Sequence, residues 1–331
     1  MQFYSPISMP ESPVEISYHD LNMLFGSCFA ENIGNKLIEY KFQTDLNPFG
    51  ILYNPESMAM SIRRLIEGKR WESNALFFHD GLYHSWGHHS SFSDVSAEAC
   101  LHKINKRLHF SAGNLKKTNH LFITWGTAYV YRLKETGQVV ANCHKLPAHL
   151  FIRERLTVQQ ITDTWEELLS CLFAMNKTLT LFFTVSPVRY RQDGAHENQL
   201  SKSILLLVEE RLQKQFPDRI IYFPAYELMM DELRDYRFYA DDFCHPANTA
   251  IQYIWERFVE TFMNAQTQQL MIEIDQIKKA MGHRPLNQQS ESYRQFISQT
   301  LLKIEQLNEK FAYICFEKER EELLLRHHLK P

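Results

Sequence analysis

Glycine is scarce in this chain: eleven in 331 residues, about 3% against roughly 7% in average usage. A chain so poor in glycine places each one where backbone geometry demands it, so their positions are informative. Long apolar runs are missing as well. The longest, Leu179–Val185, is strand-sized and well short of the roughly 18–20 residues that span a bilayer. The six cysteines, at 28, 100, 143, 171, 244 and 315, include no CxxC pair, which points to reduced thiols rather than a disulfide framework. Neither sign of charge dominates. Thirty-six Lys and Arg against 39 Asp and Glu leave −3, which offers no electrostatic case for nucleic acid or an anionic membrane. The segment Met1 to Asp20 lacks a basic stretch followed by an apolar one, so no secretory signal is expected and a cytoplasmic protein is the expectation. Repeats and low-complexity segments are also missing.

What is present is a core. With 44% apolar residues the chain can bury one, and wholesale disorder is excluded. Short apolar runs at Leu21–Phe25, Phe42–Leu46, Leu121–Trp125, Leu179–Val185 and Ile220–Phe223 alternate with helical patterns. Those patterns cover Ala30–Tyr40, Ser57–Glu67, Ser96–Phe110, Thr157–Met175 and Asn198–Phe216. Thr157-x-x-Gln160 has the form of a capping box, and Pro55 suits a first helical position. The alternation predicts right-handed βαβ units and a mainly parallel five-stranded sheet in an α/β fold. Ile251, Ile254, Trp255, Phe258 and Phe262 then mark an amphipathic helix laid on the sheet.

Two hairpins interrupt the alternation: one turns at Asp80-Gly81, near residues 76–92, and one at Gly137, within 129–144. From about residue 266 charged helices follow, so the expected organisation is a domain over 1–265 and a helical extension over 266–331. That extension is expected to pack on the domain, and it also offers a route to a homo-oligomer.

In an open parallel sheet, ligands gather beyond the carboxyl ends of the strands. Gly26-Ser27, Asn47-Pro48-Phe49-Gly50, Gly126-Thr127, Ser186-Pro187-Val188-Arg189 and Asp241 to Pro246 all fall there. Ser27 sits between a strand end and a helix start, where backbone N–H groups can stabilise an oxyanion, although serine in that place commonly just caps the helix. A serine nucleophile needs a histidine oriented by a carboxylate, and Asp242-x-x-His245 supplies that pair on the same edge.

Gly26-Ser27-Cys28-Phe29-Ala30 resembles the motif that names the GSCFA family, within the SGNH/GDSL hydrolase superfamily. Asn47-Pro48-Phe49-Gly50 with Asn54-Pro55, Gly126-Thr127, Asn142-Cys143-His144-Lys145, Ser186 to Arg189, Tyr236 to Tyr239 and Asp242-x-x-His245-Pro246 add to the resemblance, which spans roughly 1–265. It implies a three-layer, flavodoxin-like α/β/α fold and hydrolysis of esters through an acyl-enzyme. Ser27 would then be the nucleophile, His245 the base and Asp242 its orienter. The implied oxyanion donors are the N–H groups of Ser27 and Gly50 and an Asn side chain. Superfamily members carry that Asn in a Gly-x-Asn-Asp motif after the third strand, where this chain reads Gly126-Thr127-Ala128-Tyr129. Asn142, brought back by the second hairpin, is the expected replacement, and Asn47 its competitor. Asn47, Thr127, His144 and Arg189 are the further substrate-binding candidates.

Other readings compete. Cys28 could be the nucleophile in place of Ser27. Cys143-His144, Cys244-His245 and His84, His88 and His89 contain metal-ligand types but not the paired spacing of a zinc site, and the histidines are expected on a pocket rim or a solvated hairpin. Arg189 could clamp a carboxylate or a sugar oxygen, or pair with Asp193. Tyr236-Arg237-Phe238-Tyr239 reads as packing for the Asp-His loop. The expected activity is that of a serine esterase on a small-molecule or carbohydrate O-acyl ester, with no cofactor and no metal. An acyltransferase using the same residues and a non-catalytic binding module of the same fold are the alternatives.

Overall fold

The computed structural model describes residues 4–11 and 14–328; the outer ends of both expected domain spans, at 1–3 and 329–331, lie outside the described residues, as do 12–13. The strands are β1 (Asn22–Gly26), β2 (Thr44–Leu46), β3 (Leu76–His79), β4 (Leu82–Ser85), β5 (His120–Trp125), β6 (Tyr129–Leu133), β7 (Val139–Val140), β8 (Phe151–Arg155), β9 (Thr180–Val185) and β10 (Ile220–Tyr222). The helices are α1 (Cys28–Glu39), α2 (Pro55–Glu67), α3 (Ala97–Leu115), α4 (Val158–Met175), α5 (Gly194–Gln215), the single turn α6 (Ala225–Glu227), α7 (Asn248–Phe262), α8 (Ala265–Gly282), α9 (Glu291–Lys310) and α10 (Glu317–His328).

The central sheet runs β10-β9-β5-β1-β2, with every pair parallel. Counting only its own five strands this is the order 2-1-3-4-5, which reverses direction between β1 and β5. Strands covered on both faces read as apolar throughout, and β1 and β5 are buried at every residue. Successive side chains point to opposite faces. Leu24, Phe122 and Phe182 join a core with α1 and α7, whereas Met23, Phe25, Ile123 and Phe183 join one with α2, α3, α4 and α5. The result is the expected three-layer α/β/α arrangement.

Local signals behave as read. Thr157 and Gln160 form a complete capping box on α4, and Asn54 caps α2 with Pro55 at its first position. Asp80 and Gly81 both take positive φ, +46° and +76°, as the tight turn between β3 and β4 requires. One strand was missed. The second insertion is a three-stranded sheet β7-β6-β8, because β8 pairs antiparallel with β6. Three charged residues in Phe151-Ile152-Arg153-Glu154-Arg155 hide its strand character, and Glu154 is stabilised there by an ion pair with Arg132 on β6.

The C-terminal helices pack on the domain. Leu270, Ile274, Ile277, Ile297, Ile304 and Phe316 join the same buried cluster as Leu37, Phe42 and Trp255. No helix among the described residues is long and apolar enough to cross a membrane.

Helix α5 buries two ionisable side chains, Lys202 at 0% and Glu209 at 5% exposure. Burial, reinforced by the nearby Glu227 carboxylate, pushes the Glu209 carboxyl up to about 8 from 4.5. Between those values the unfolded chain has released a proton that the folded chain keeps. Stability therefore falls as pH rises through that window, by up to about 1 kcal/mol per pH unit. Glu209→Gln is expected to remove this contribution. Urea unfolding at pH 5 and pH 8 would show a smaller loss in the variant than in wild type; equal losses would refute the assignment.

Candidate active site

The chain leaves β1 through Gly26, where a side chain has no room: an added Cβ would lie 2.6 Å from Ala30 Cβ and 2.7 Å from Thr124 Cβ. This close approach seats the start of α1 against β5, at the point where the strand order reverses, the usual ligand position in such sheets. Ser27 occupies the N-cap of α1 and is 2% exposed, yet its side chain makes no capping bond. Its hydroxyl instead lies 3.3 Å from Ser186 Oγ, at the end of β9. The capping reading of Ser27 is thereby set aside.

Opposite stands the loop between Phe238 and Ala247. Backbone bonds from Ala240 N to His245 O and from Ala247 N to Phe238 O, both 2.8 Å, close it. Phe243 takes φ +57°, a conformation bulky side chains rarely adopt, and so tightens the turn. Asp242 Oδ1 accepts the N–H groups of Cys244 at 2.8 Å and His245 at 2.9 Å, and Oδ2 meets His245 Nδ1 at 2.5 Å. The bonds from His245 and Cys244 hold the carboxyl well below the usual carboxylate range, so it is ionised at neutral pH. With Nδ1 engaged, the imidazole presents Nε2.

A cleft of about 320 Å³ lies between these parts; Ser27, Cys28, Tyr53, Gly126, Ser186, Arg189, Asp242 and His245 are among its lining residues. Ser27 and His245 thus face one space, but among the described residues no hydrogen bond joins them. Burial raises the Cys28 thiol above its ordinary range, the opposite of what an activated thiolate needs.

Several expected partners fall elsewhere. The Gly50 amide is already spent on Asn47 O at 2.8 Å, inside a turn where Gly50 takes φ +76°. It does not line the cleft, so the expected Gly50 donor is not supported. Asn142 also lies off the cleft, its Oδ1 closing a turn on the His144 N–H at 2.7 Å. The insertion is held against the first hairpin, where the Ala141 N–H donates to Trp86 O at 2.8 Å, instead of returning to Ser27. His144 is buried there, its Nε2 2.9 Å from Ser85 O. Burial lowers its pKa to about 4. Thr127 is likewise structural, 3.1 Å from Ser201 Oγ and accepting the Tyr129 N–H.

His84 and His88 are buried rather than rim-lying, since the hairpin packs its rings inward. His84 is fixed by Ser93 Oγ and His79 O, and His88 by Ser85 Oγ and a stack on Phe49. Asp193 pairs with Arg153, not Arg189. Of the aromatic cassette only Phe238 and Tyr239 pack on the core, while Tyr236 is 77% exposed.

Asn47 fares better. Its Oδ1 accepts the Gly26 N–H at 3.0 Å, while its buried Nδ2 has no hydrogen-bond partner among the described residues.

Sequence reasoning puts Ser186 at this edge without a role and misses Lys202 altogether. Ser186 touches Ser27, and beneath both lies the fully buried Lys202. Its Nζ donates to Gly126 O and Ser186 O, each at 2.7 Å, and so ties the ends of β5 and β9 together. No other protein donor reaches either carbonyl among the described residues. Burial lowers the lysine to about 7 from 10.5. The signal was present in the α5 periodicity: Asn198, Ser201, Lys202, Leu205, Val208, Glu209 and Leu212 form one buried face.

A comparison with curated proteins gave no match to this chain. Residues 274–328 match the family model described as GSCFA domain protein, C-terminal domain. Residues 22–258, most of the chain and all of the central sheet, match that of the GSCFA family, and the chain belongs to that family.

Proposed function

We propose that this chain is a serine acyl-hydrolase of the SGNH type, acting on carboxylic esters through Ser27, His245 and Asp242. The observation that carries the reading is the Ser27 hydroxyl. It stands at a helix N-cap without capping, and it lines one cleft with a histidine whose other nitrogen is held by an ionised aspartate.

In this scheme Ser27 Oγ forms a bond to the ester carbonyl carbon as His245 Nε2 takes the hydroxyl proton. The tetrahedral oxyanion collapses, the bond to the leaving oxygen breaks, and the imidazolium returns its proton to the departing alcohol. Water then attacks the acyl-enzyme, gives its proton to His245 and releases the acid with Ser27 restored. Asp242 stays ionised and stabilises the imidazolium. The oxyanion donor of this scheme is the Ser27 N–H, and Asn47 serves it from behind by holding the Gly26 N–H through Oδ1 at 3.0 Å. The Ser27–Ser186 contact is the resting arrangement, and rotation of the hydroxyl toward His245 precedes attack.

Fluorophosphonate labelling tests this reading. The adduct is expected on the peptide carrying Ser27, and Cys28→Ala is expected to retain it. No adduct, or one on a different residue, would refute the reading.

A further inference from the structure

A second, larger cavity of about 470 Å³ adjoins the Ser27 cleft. The two share a wall made of Arg189, Tyr190, Arg191 and Cys244. The far side is aromatic: Tyr236, Tyr239 and Phe243 line it, and Tyr236 and Phe243 are 77% and 53% exposed. Exposed rings beside a concave surface mark contact with a ligand more readily than scattered surface aromatics do.

The charges around this groove do not cancel. Arg234 is paired with Asp231, Asp235 with Arg237 at 3.9 Å, and Asp242 with His245. Asp193, the acid nearest Arg191 in sequence, is paired with Arg153. Arg189 and Arg191 are in no ion pair among the described residues; the hydrogen bond of Arg189 goes to the thioether of Met230 at 3.2 Å. A guanidinium takes a carboxylate or phosphate in planar two-point fashion, and a weakly partnered one retains that capacity.

The groove's position says which part of a substrate it meets. Phe243 and Cys244 belong to the same loop as His245, the residue that must hand a proton to the leaving oxygen. The groove therefore receives the alcohol side of an ester whose acyl carbon lies at Ser27.

From this geometry we infer that the groove is an anion subsite, taking an ester whose alcohol portion carries a carboxylate or phosphate on Arg189 and Arg191 and stacks a ring on the aromatic wall. The inference rests on the hydrolase reading for its direction, though binding of the anion does not require turnover.

A matched pair of probes tests it: 4-acetoxybenzoate and methyl 4-acetoxybenzoate, which release the same acyl group from phenols that differ in charge. Wild type is expected to favour the carboxylate at least tenfold in kcat/KM, and Arg189→Ala combined with Arg191→Ala to lower that ratio tenfold or more, chiefly through KM. Titration of both probes into Ser27→Ala protein, with and without the two arginine exchanges, reads the subsite without chemistry. There the carboxylate is expected to bind at least tenfold tighter than its methyl ester, and to lose that margin with the arginines. Equal dissociation constants for the two probes in Ser27→Ala protein would overturn the subsite. Binding that follows charge without turnover of either ester would keep the subsite and remove the hydrolase reading. A source in phosphate rather than carboxylate is separated by competition: inorganic phosphate displacing 4-acetoxybenzoate at lower concentration than benzoate identifies phosphate as the better ligand.

Discussion

Ser27→Ala is expected to lower kcat for p-nitrophenyl acetate by about 10⁴–10⁶-fold, the scale lost when the nucleophile of a catalytic triad is removed. The exchange deletes one oxygen at a residue that is 2% exposed and whose hydroxyl makes no cap, so α1 should lose little stability. A thermal melting point near that of wild type, together with lost turnover, would separate chemistry from folding. The alternatives diverge on the same measurement. A binding module shows no turnover in either protein, whereas a Cys28 nucleophile leaves Ser27→Ala active. An acyltransferase would need an acceptor alcohol to outcompete water, which product analysis in the presence of added alcohols would show.

Lys202→Met should have the second largest effect, and its signature is pH. Methionine matches the stem but leaves Gly126 O and Ser186 O without a donor, at about 1–3 kcal/mol for each buried carbonyl. A neutral amine has two N–H bonds for these two acceptors, whereas an ammonium adds a third N–H and a buried charge. Because burial brings the lysine to about 7 from 10.5, the unfolded chain binds the extra proton between those values and the folded chain does not. Stability contributed by Lys202 therefore rises with pH across that window, by up to about 1 kcal/mol per pH unit. Urea unfolding at pH 7 and pH 9 should thus show the wild-type advantage over Lys202→Met growing with pH. A constant advantage would refute the assignment. Activity should fall too, by about 10²-fold in kcat, because the Ser186 strand end that touches Ser27 loses its anchor.

The architecture was readable because a parallel sheet covered on both faces needs unbroken apolar strands, and Leu121–Trp125 and Leu179–Val185 are such runs. The Asp80-Gly81 turn and the Thr157–Gln160 box were equally plain, being governed by backbone geometry within four residues. Ser27, Asp242 and His245 could be placed on one edge because strand ends in this topology converge. What could not be read depends on contacts across the fold. Strand β8 pairs with β6 despite its three charged residues, and the second insertion is turned onto the first hairpin by a bond from Ala141 N–H to Trp86 O between residues far apart in sequence. That bond, together with His144 on Ser85 O, keeps Asn142 away from Ser27. The resemblance implies a Gly50 donor, but a turn that folds its N–H onto Asn47 O leaves no mark in the letters. Lys202 and Ser186 matter only through carbonyls and hydroxyls that distant elements bring to them.

The shared core beneath α1, α7 and the C-terminal helices has a consequence for how such chains diverge. Two separately recognisable stretches, 22–258 and 274–328, meet in a single buried cluster, with Leu37 and Trp255 from one and Ile277 and Ile304 from the other. A change of shape on either side must be answered by the other, so the two stretches are bound to evolve as partners in one hydrophobic contact. Those later helices meet α1 at its C-terminal end, where Glu39 pairs with Lys278, so the far end of the chain anchors the helix whose other end carries Ser27.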